Sequence, residues 1–241
     1  MNLFIEAFAW IFSPKRLTGY LPLPEAIAQH LAFTVVSVLI AAAIAIPAGW
    51  LIGHTGRGRE IAVFMSGAAR ALPALGLVTL LVMLIGVTQK TEAAVVAFVL
   101  LAIPSILAGA YAGFEAIDRS VIQAGRAMGM TEWQILFRIE VPLGLSILVG
   151  GLRSAALQVV ATVTIAAYLG LGGLGYYMIQ GISTRDFAEV LGASIVVVAL
   201  ALALDGLFAL LARLAVPRTD APRPTRSELA RMRTLVTDPS L

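Results

Sequence analysis

Long stretches without charged side chains are the feature that most limits how this 241-residue chain can fold. Two stretches, 31–53 and 93–114, contain no Lys, Arg, Asp, Glu or His. Three more, at 61–89, 142–168 and 189–216, are interrupted only by Arg70, by Arg153, and by Glu189, Asp205 and Arg213 respectively. A helix that spans a bilayer needs about 20 mainly apolar residues. The sequence therefore predicts an all-α polytopic membrane helix bundle with about five core transmembrane helices.

The composition agrees with this fold class and excludes others. Charged residues make up 13% of the chain. Soluble domains typically contain roughly 25%. A water-soluble globule, a disordered protein and a small disulfide-built domain are therefore excluded. The lack of cysteine also excludes thiolate chemistry and cysteine-bound metals.

The chain divides into a central domain, 31–216, and two flanking segments. Residues 1–30 are interpreted as an interfacial segment, because the apolar run at 3–12 is too short to span; a sixth span is the alternative. Basic residues follow this run instead of preceding it, which is not typical of a signal peptide. Residues 217–241 form a basic tail in which several prolines disfavour a helix. A disordered, solvated tail is favoured there over a nucleic-acid-binding one.

Basic residues predict the orientation of the bundle, because cytoplasmic loops of membrane proteins carry an excess of Lys and Arg. Eleven basic residues lie in one alternate set of loops together with the tail, and four lie in the other set. The set of four is Lys15, Arg16, Lys90 and Arg185. We therefore predict an N-terminus outside the cytoplasm and a C-terminus within it. The net charge of +3 then indicates topology and not a nucleic-acid partner.

The longest polar interval, 115–140, has the features of two short helices across the membrane face. The spacing predicts two capping boxes, one at Ser120 and Gln123 and the other at Thr131 and Gln134. Gly129 between them suits the left-handed residue that ends a helix, and Pro142 suits the first turn of the next span. Apolar residues occupy both predicted helices. The interval therefore either packs on its own bundle as a connector or presents a surface to another protein.

The same interval carries a recognisable spacing. Gln123, Ala124 and Gly125 are followed by Gly129 after three residues, and then by Ile139, Val141 and Pro142 after nine more. This spacing resembles the signature of ABC-transporter permeases, Glu-Ala-Ala-x3-Gly-x9-Ile-x-Leu-Pro. The chain departs from it at Gln123, Gly125 and Val141, which stand for Glu, Ala and Leu. Gln123 still serves a capping box, but it cannot make a salt bridge that Glu would make.

The resemblance implies a role for the interval. In that family the segment corresponding to 120–138 is a coupling helix that inserts into a groove of the cytoplasmic ATP-hydrolysing subunit. ATP and Mg²⁺ are then expected on that partner, while this chain is expected to be no enzyme and to bind no cofactor or metal. The residues that the resemblance assigns to ATPase coupling are Gln123, Ala124, Gly125, Met128, Gly129, Met130, Thr131, Trp133, Ile139 and Pro142.

Further motifs extend the resemblance from about residue 31 to 217. They are ARALPAL at 69–75, RAMGMT at 126–131, VPL at 141–143, GLR at 151–153, LGLGGLG at 169–175, QG at 180–181 and ALD at 203–205. Together they resemble the type I ABC importer permeases (MetI-like fold) for glycine betaine, carnitine, choline and related osmoprotectants. The implied setting is a bacterial or archaeal inner membrane, with an extracytoplasmic substrate-binding protein and a second permease subunit. Importers of methionine or phosphonates share the same core and are the alternative.

Seven residues are candidates for the transport pathway or its gate. They are Arg70, Pro73, Arg153, Tyr168, Tyr176, Tyr177 and Asp205. A charge inside a span needs a partner or a wet cavity. The competing interpretation for the two arginines and the aspartate is therefore structural, with an Arg–Asp or an Arg–helix-carbonyl contact that fixes the bundle. The tyrosines are also typical of the aromatic belt at span ends.

Glycines suggest two further structural roles. The stretch 169–175 lacks the Gly-Lys-Ser/Thr ending of a nucleotide loop and is predicted to turn the backbone at the outer face. The resemblance adds a gate or a docking surface for the binding protein there. The pairs Gly49 and Gly53, and Gly109 and Gly113, have a spacing that lets membrane helices approach closely. They build either the bundle or a dimer seam.

Other function classes remain as rivals. An ion-driven secondary transporter would use Asp205 as its intramembrane ion site. A membrane enzyme is disfavoured because His, Cys and carboxylates do not cluster; His30 and His54, in particular, are predicted at opposite ends of one span. A scaffold protein would not need two capped helices at this spacing.

Overall fold

The computed structural model describes residues 2–60, 62–64, 67 and 72–215. Regular secondary structure in this part of the chain is helical, as the fold class predicts. Arg70 and the tail at 217–241 lie outside the described residues, so their predicted roles stay predictions.

Nine α-helices have both ends within the described residues and follow one another in chain order. We number them α1 (Leu3–Ile11), α2 (Leu23–Thr55), α3 (Ala74–Ile85), α4 (Lys90–Glu115), α5 (Arg119–Ala127), α6 (Glu132–Ile135), α7 (Val141–Ala166), α8 (Gly175–Thr184) and α9 (Phe187–Ala215). A π-helical turn, Leu136–Glu140, joins α6 to α7 without a break.

Four helical runs in the described residues are long and apolar enough to cross a membrane. They are Leu23–Thr55, Val87–Glu115, Glu132–Leu169 and Phe187–Ala215. They confirm four of the five predicted spans. In the fifth, at 61–89, the continuous described helix is α3, with 12 residues. At a rise of about 1.5 Å per residue it measures roughly 18 Å, short of a hydrocarbon core of about 30 Å.

Helix α4 lies at the centre of the bundle, packed against α2, α3 and α7. Glycines permit the closest approaches. A Cβ at Gly109 would lie 2.8 Å from Gly151 Cα, and a Cβ at Gly113 would lie 2.6 Å from Gly144 O, so α4 and α7 touch backbone to backbone. Gly53 on α2 packs against α4, where an added Cβ would lie 2.8 Å from Phe114 Cβ. The small residues therefore build the bundle, which settles the question left open by their spacing.

The N-terminal helix α1 is a side layer on this bundle. It has 9 residues, which is too short to span. Its buried residues, Ala7 and Trp10, face the start of α9, where a Cβ on Gly192 would lie 2.5 Å from Trp10 Cε3. Apolar side chains on its other face, such as Phe4 and Phe8, are exposed.

Candidate coupling site

The first helix of the candidate coupling segment, which we define as residues 119–140, begins at Arg119. The predicted capping box at Ser120 and Gln123 is wrong. Asp118 is the N-cap residue, and its Oδ1 accepts a hydrogen bond from the Ser120 backbone N–H at 2.8 Å. The negative charge of this carboxylate also interacts favourably with the positive end of the helix dipole. An uncharged Ser hydroxyl would make no such interaction. The hydrogen bonds from Ser120 lower the pKa of the exposed Asp118 carboxyl.

The turn after α5 is built as the sequence predicts. Gly129 has φ 81°, in the left-handed region. The Gly129 N–H donates to Arg126 O at 2.9 Å and the Met130 N–H donates to Gly125 O at 3.1 Å. This pair of bonds is the Schellman arrangement that closes a helix C-terminus on a glycine.

The second capping box is confirmed. The Thr131 N–H donates to Gln134 Oε1 at 2.9 Å, and the Gln134 N–H donates to Thr131 Oγ1 at 3.3 Å. The prediction of a second separate helix is wrong, however, because the helix that starts at Glu132 runs through the π turn into α7. Pro142 explains the turn, since proline has no backbone N–H and a widened turn accommodates it.

The coupling segment has a buried face and an exposed face. Ile135 is fully buried, and Gly125 packs where a Cβ would lie 3.0 Å from Ile139 Cδ1. Met128 and Trp133, by contrast, are 75% and 71% exposed. The Trp133 ring is stacked on Phe137, with centroids 5.9 Å apart. The segment therefore both packs on its own bundle and presents apolar surface.

The remaining residues predicted for coupling divide between these faces. Gln123, Ala124, Gly129, Thr131 and Pro142 are exposed, whereas Met130 and Ile139 are half-buried. A cleft of about 520 Å³ adjoins the exposed face. Trp50 and His54 of α2 line one wall, and Glu132, Trp133 and Phe137 line the other.

A chain of side-chain contacts that sequence reasoning missed holds the segment to α2. Arg126 donates to both carboxylate oxygens of Glu132, at 2.9 Å from Nε and 3.0 Å from Nη2. These bonds raise the pKa of Arg126 above its ordinary value. Glu132 Oε2 lies 3.5 Å from His54 Nε2, and His54 Nδ1 lies 2.5 Å from Glu140 Oε2. His54 is 86 residues from Glu140 in sequence, so no local pattern could have found the pair.

Two of the pathway candidates lie together between α7 and α9. Arg153 Nε donates to Asp205 Oδ1 at 2.5 Å, and Nη2 donates to Oδ2 at 2.6 Å. An Arg–Asp pair is one of the two structural arrangements that the sequence suggests for these residues; its bidentate geometry is seen only in the structure. A role in the pathway stays a prediction for both residues.

The other candidates lie elsewhere. Pro73 is exposed immediately before α3. Tyr168 is exposed, Tyr176 is half-buried, and buried Tyr177 donates a hydrogen bond to Leu21 O. Burial raises the pKa of the Tyr177 hydroxyl.

The glycine-rich stretch at 169–175 turns the backbone at the end of α7, as predicted. Gly170, Gly172 and Gly173 all have positive φ. Lys90 Nζ donates to Leu169 O at 3.2 Å and to Gly170 O at 3.0 Å. The Gly173 N–H donates to Gln29 Oε1 at 3.2 Å. The stretch is therefore bound to the first residue of α4 and the first turns of α2.

Comparison with known proteins shows which sequences and folds this chain is similar to. The chain is 31% identical over 177 residues to the carnitine transport permease protein OpuCB of Listeria monocytogenes, covering 73% of this chain and 80% of that one. It is 30% identical to the choline transport system permease protein OpuBD of Bacillus subtilis, covering 78% of this chain and 83% of that one. In fold it is similar to a chain of the inward-facing MetNI methionine ABC transporter, with a TM-score of 0.71 and 23% identity over 81% of this chain and 96% of that one.

Residues 45–221 match the family described as the inner membrane component of binding-protein-dependent transport systems. This match covers most of the chain and includes the coupling segment, the Arg153–Asp205 pair and the glycine-rich stretch. The chain belongs to the family of binding-protein-dependent transport system inner membrane components.

Proposed function

We propose that this chain is the permease subunit of an ATP-driven importer for osmoprotectants such as glycine betaine, choline or carnitine. The observation that carries the proposal is the identity of 30% or more to permeases named for carnitine and choline transport, over most of both chains. The likeness to the methionine transporter is too low in identity to carry a substrate and supports the fold alone.

The coupling segment is the proposed contact with a separate cytoplasmic ATPase, which binds ATP and Mg²⁺. Its exposed face supports this role, since Met128, Trp133 and Phe137 present apolar surface beside a cleft. Large exposed apolar patches on a protein typically mark interaction sites. This chain itself then supplies no nucleotide chemistry and needs no cofactor of its own.

Transport follows from alternating access in a pair of permease subunits. Closure of two ATPase subunits moves the coupling segments, and the helices attached to them open the bundle toward the outside. A substrate-binding protein delivers the solute there, and resetting releases it into the cytoplasm. The distribution of Lys and Arg supports an N-terminus outside and a C-terminus inside the cytoplasm.

The Arg153–Asp205 pair suits a cationic solute. An unpaired guanidinium in the bundle would repel a quaternary ammonium group, whereas the bidentate pair has no net charge. The same pairing disfavours an ion-driven transporter that uses Asp205, because both carboxylate oxygens already accept hydrogen bonds from Arg153.

Uptake by the complete complex tests the proposal. The chain is first purified from its native cells with whatever subunits accompany it, and these are identified by mass spectrometry. The complex is then reconstituted in liposomes loaded with ATP, and uptake of labelled glycine betaine, choline, carnitine and methionine is measured. We expect ATP-dependent uptake of at least one of the first three. Uptake of methionine alone would overturn the substrate, and a chain that transports without any ATPase would overturn the mechanism.

A further inference from the structure

His54 occupies an unusual position in the last turn of α2. Its side chain is 18% exposed and lies between two carboxylates that both belong to the coupling segment. The nearer one, Glu140, has a side chain that is only 8% exposed. A buried carboxylate is costly without a partner, and His54 supplies the side-chain hydrogen bond to it. His54 is therefore the contact through which the end of α2 holds this segment.

The two carboxylates lie at the two ends of the stretch formed by α6 and the π turn. Glu132 is the first residue of α6, and Glu140 is the last residue of the π turn that leads into α7. Glu132 is also bound by Arg126 in the last turn of α5. The chain Arg126–Glu132–His54–Glu140 thus connects both helices of the coupling segment to α2 and to the start of α7.

The π turn interrupts the regular helix between these connections. The Val141 N–H donates to Leu136 O five residues back, and Pro142 contributes no N–H to the following turn. Helices bend at π turns and at prolines because the regular ladder of backbone bonds is interrupted there. Movement of α5 and α6 would bend the helix at this turn and would not reach the rest of the bundle unless another contact transmitted it.

We propose that His54 is a positioning residue for transport, through which α2 follows the movement of the coupling segment. His54 contacts Glu132 in α6, the part that moves, and Glu140 in the π turn, where the helix bends. Displacement of α6 therefore displaces the end of α2 as well. The inference rests on the proposed function, because it assumes that an ATPase moves the segment. A brace that only stabilises the fold is the alternative.

The amount of solute imported per ATP hydrolysed distinguishes a residue that transmits movement from a brace that only stabilises the fold. The reconstituted complex of this chain with its ATPase and binding protein is compared for wild type, His54→Leu and His54→Gln. We expect His54→Leu to lower the ratio by about fivefold or more, a usual size for coupling between sites. Glutamine retains a hydrogen bond to one carboxylate and is expected to restore most of the ratio. Thr55→Ala is the matched control, since the exposed Thr55 hydroxyl donates to Leu51 O of its own helix and accepts from the nearby Arg57 N–H, which leaves the coupling segment untouched.

A double-mutant cycle provides the second readout. Glu140→Leu is expected to lower the ratio alone, but to add little in the His54→Leu background, because both changes remove the same contact. A brace would lower the melting temperature of His54→Leu while leaving the ratio at the wild-type value, and that result would overturn the inference. If His54→Leu does not accumulate in the membrane, a wild-type ratio in Glu140→Leu overturns it equally. A wild-type complex that shows no ATP-driven uptake overturns the proposed function instead.

Discussion

Gly129 shows how a single residue decides the shape of the coupling segment. Its φ of 81° lies in the left-handed region, and a Cβ there would meet nothing within 4 Å. A substitution is therefore opposed by backbone strain alone, roughly 1–2 kcal/mol for a residue that avoids this region. We expect Gly129→Val to lower the free energy of unfolding by about that amount and to impair uptake. Gly129→Asn is the control, since asparagine tolerates the left-handed conformation, and equal behaviour of the two variants in thermal unfolding would contradict the account.

The Arg153–Asp205 pair makes a second prediction at this scale. Asp205→Ala leaves the guanidinium of Arg153 without the carboxylate that accepts both of its hydrogen bonds. We expect less protein in the membrane fraction, as measured by immunoblot, because an unpaired charge opposes insertion. Exchanging the two residues, as Arg153→Asp with Asp205→Arg, should restore the amount. If the exchanged pair accumulates no better than Asp205→Ala, the pair does not act through its mutual charge.

Hydrogen bonds between residues close in sequence are predictable from the sequence, whereas contacts between residues far apart in sequence are not. Thr131, Gln134 and Gly129 were identified because their partners lie within five residues. The prediction of Ser120 as the cap is wrong because Asp118 caps the helix two residues earlier, by accepting from the Ser120 N–H, and carries a charge that the helix dipole favours. His54 has partners 78 and 86 residues away, and only the folded chain brings them together.

The seam between α4 and α7 gives a prediction about elements. A Cβ on Gly151 would lie 2.8 Å from Ser105 O and 2.9 Å from Gly109 Cα, whereas a Cβ on the adjacent Gly150 would meet nothing within 4 Å. Gly151→Ala must push the two helices apart, and we expect it to lower stability by about 1–3 kcal/mol. Gly150→Ala on the same helix is expected to be neutral or stabilising by up to about 1 kcal/mol, since alanine is the better helix former.

Thermal unfolding of the two purified variants in detergent is the measurement. Both substitutions add one methyl group to neighbouring positions of α7, so a difference in melting temperature between them reports on the seam. We expect Gly151→Ala to melt at the lower temperature. Equal melting temperatures would mean that the helices separate at no cost and that the seam is not a determinant of the bundle.

Hydropathy predicts most of the membrane-spanning helices, but it does not predict that α6 continues into α7. Four spans are predictable because each is a long apolar run with few or no charged residues, which is a property of composition alone. The 38-residue run Glu132–Leu169 was divided into a surface helix and a span, because polar residues and Pro142 are typical of a boundary. The π turn that carries the helix past this proline depends on a hydrogen-bond pattern that residue types do not specify.

At the scale of the whole molecule, orientation can be tested directly because the chain has no cysteine. Tyr20, between α1 and α2, is 90% exposed, and Met128 at the end of α5 is 75% exposed. Single variants Tyr20→Cys and Met128→Cys are treated in intact cells with a maleimide that does not cross membranes. We expect label on Tyr20→Cys before permeabilisation and on Met128→Cys only afterwards. The reverse pattern would invert the proposed topology.

The part of the helix beyond the π turn, residues 141–169, gives the molecule a lever arm. Its 26 α-helical and 3 terminal residues measure about 43 Å at the usual rise, longer than the roughly 30 Å of a hydrocarbon core. One end adjoins Glu140, which His54 contacts. The other end is Leu169, whose carbonyl accepts a hydrogen bond from Lys90. Rotating a rod of about 43 Å by about 6° around one end displaces the other by about 4.5 Å, more than the length of that hydrogen bond. A small angular change at the π turn is thus geometrically sufficient to break the contact that holds the glycine-rich stretch at the far end.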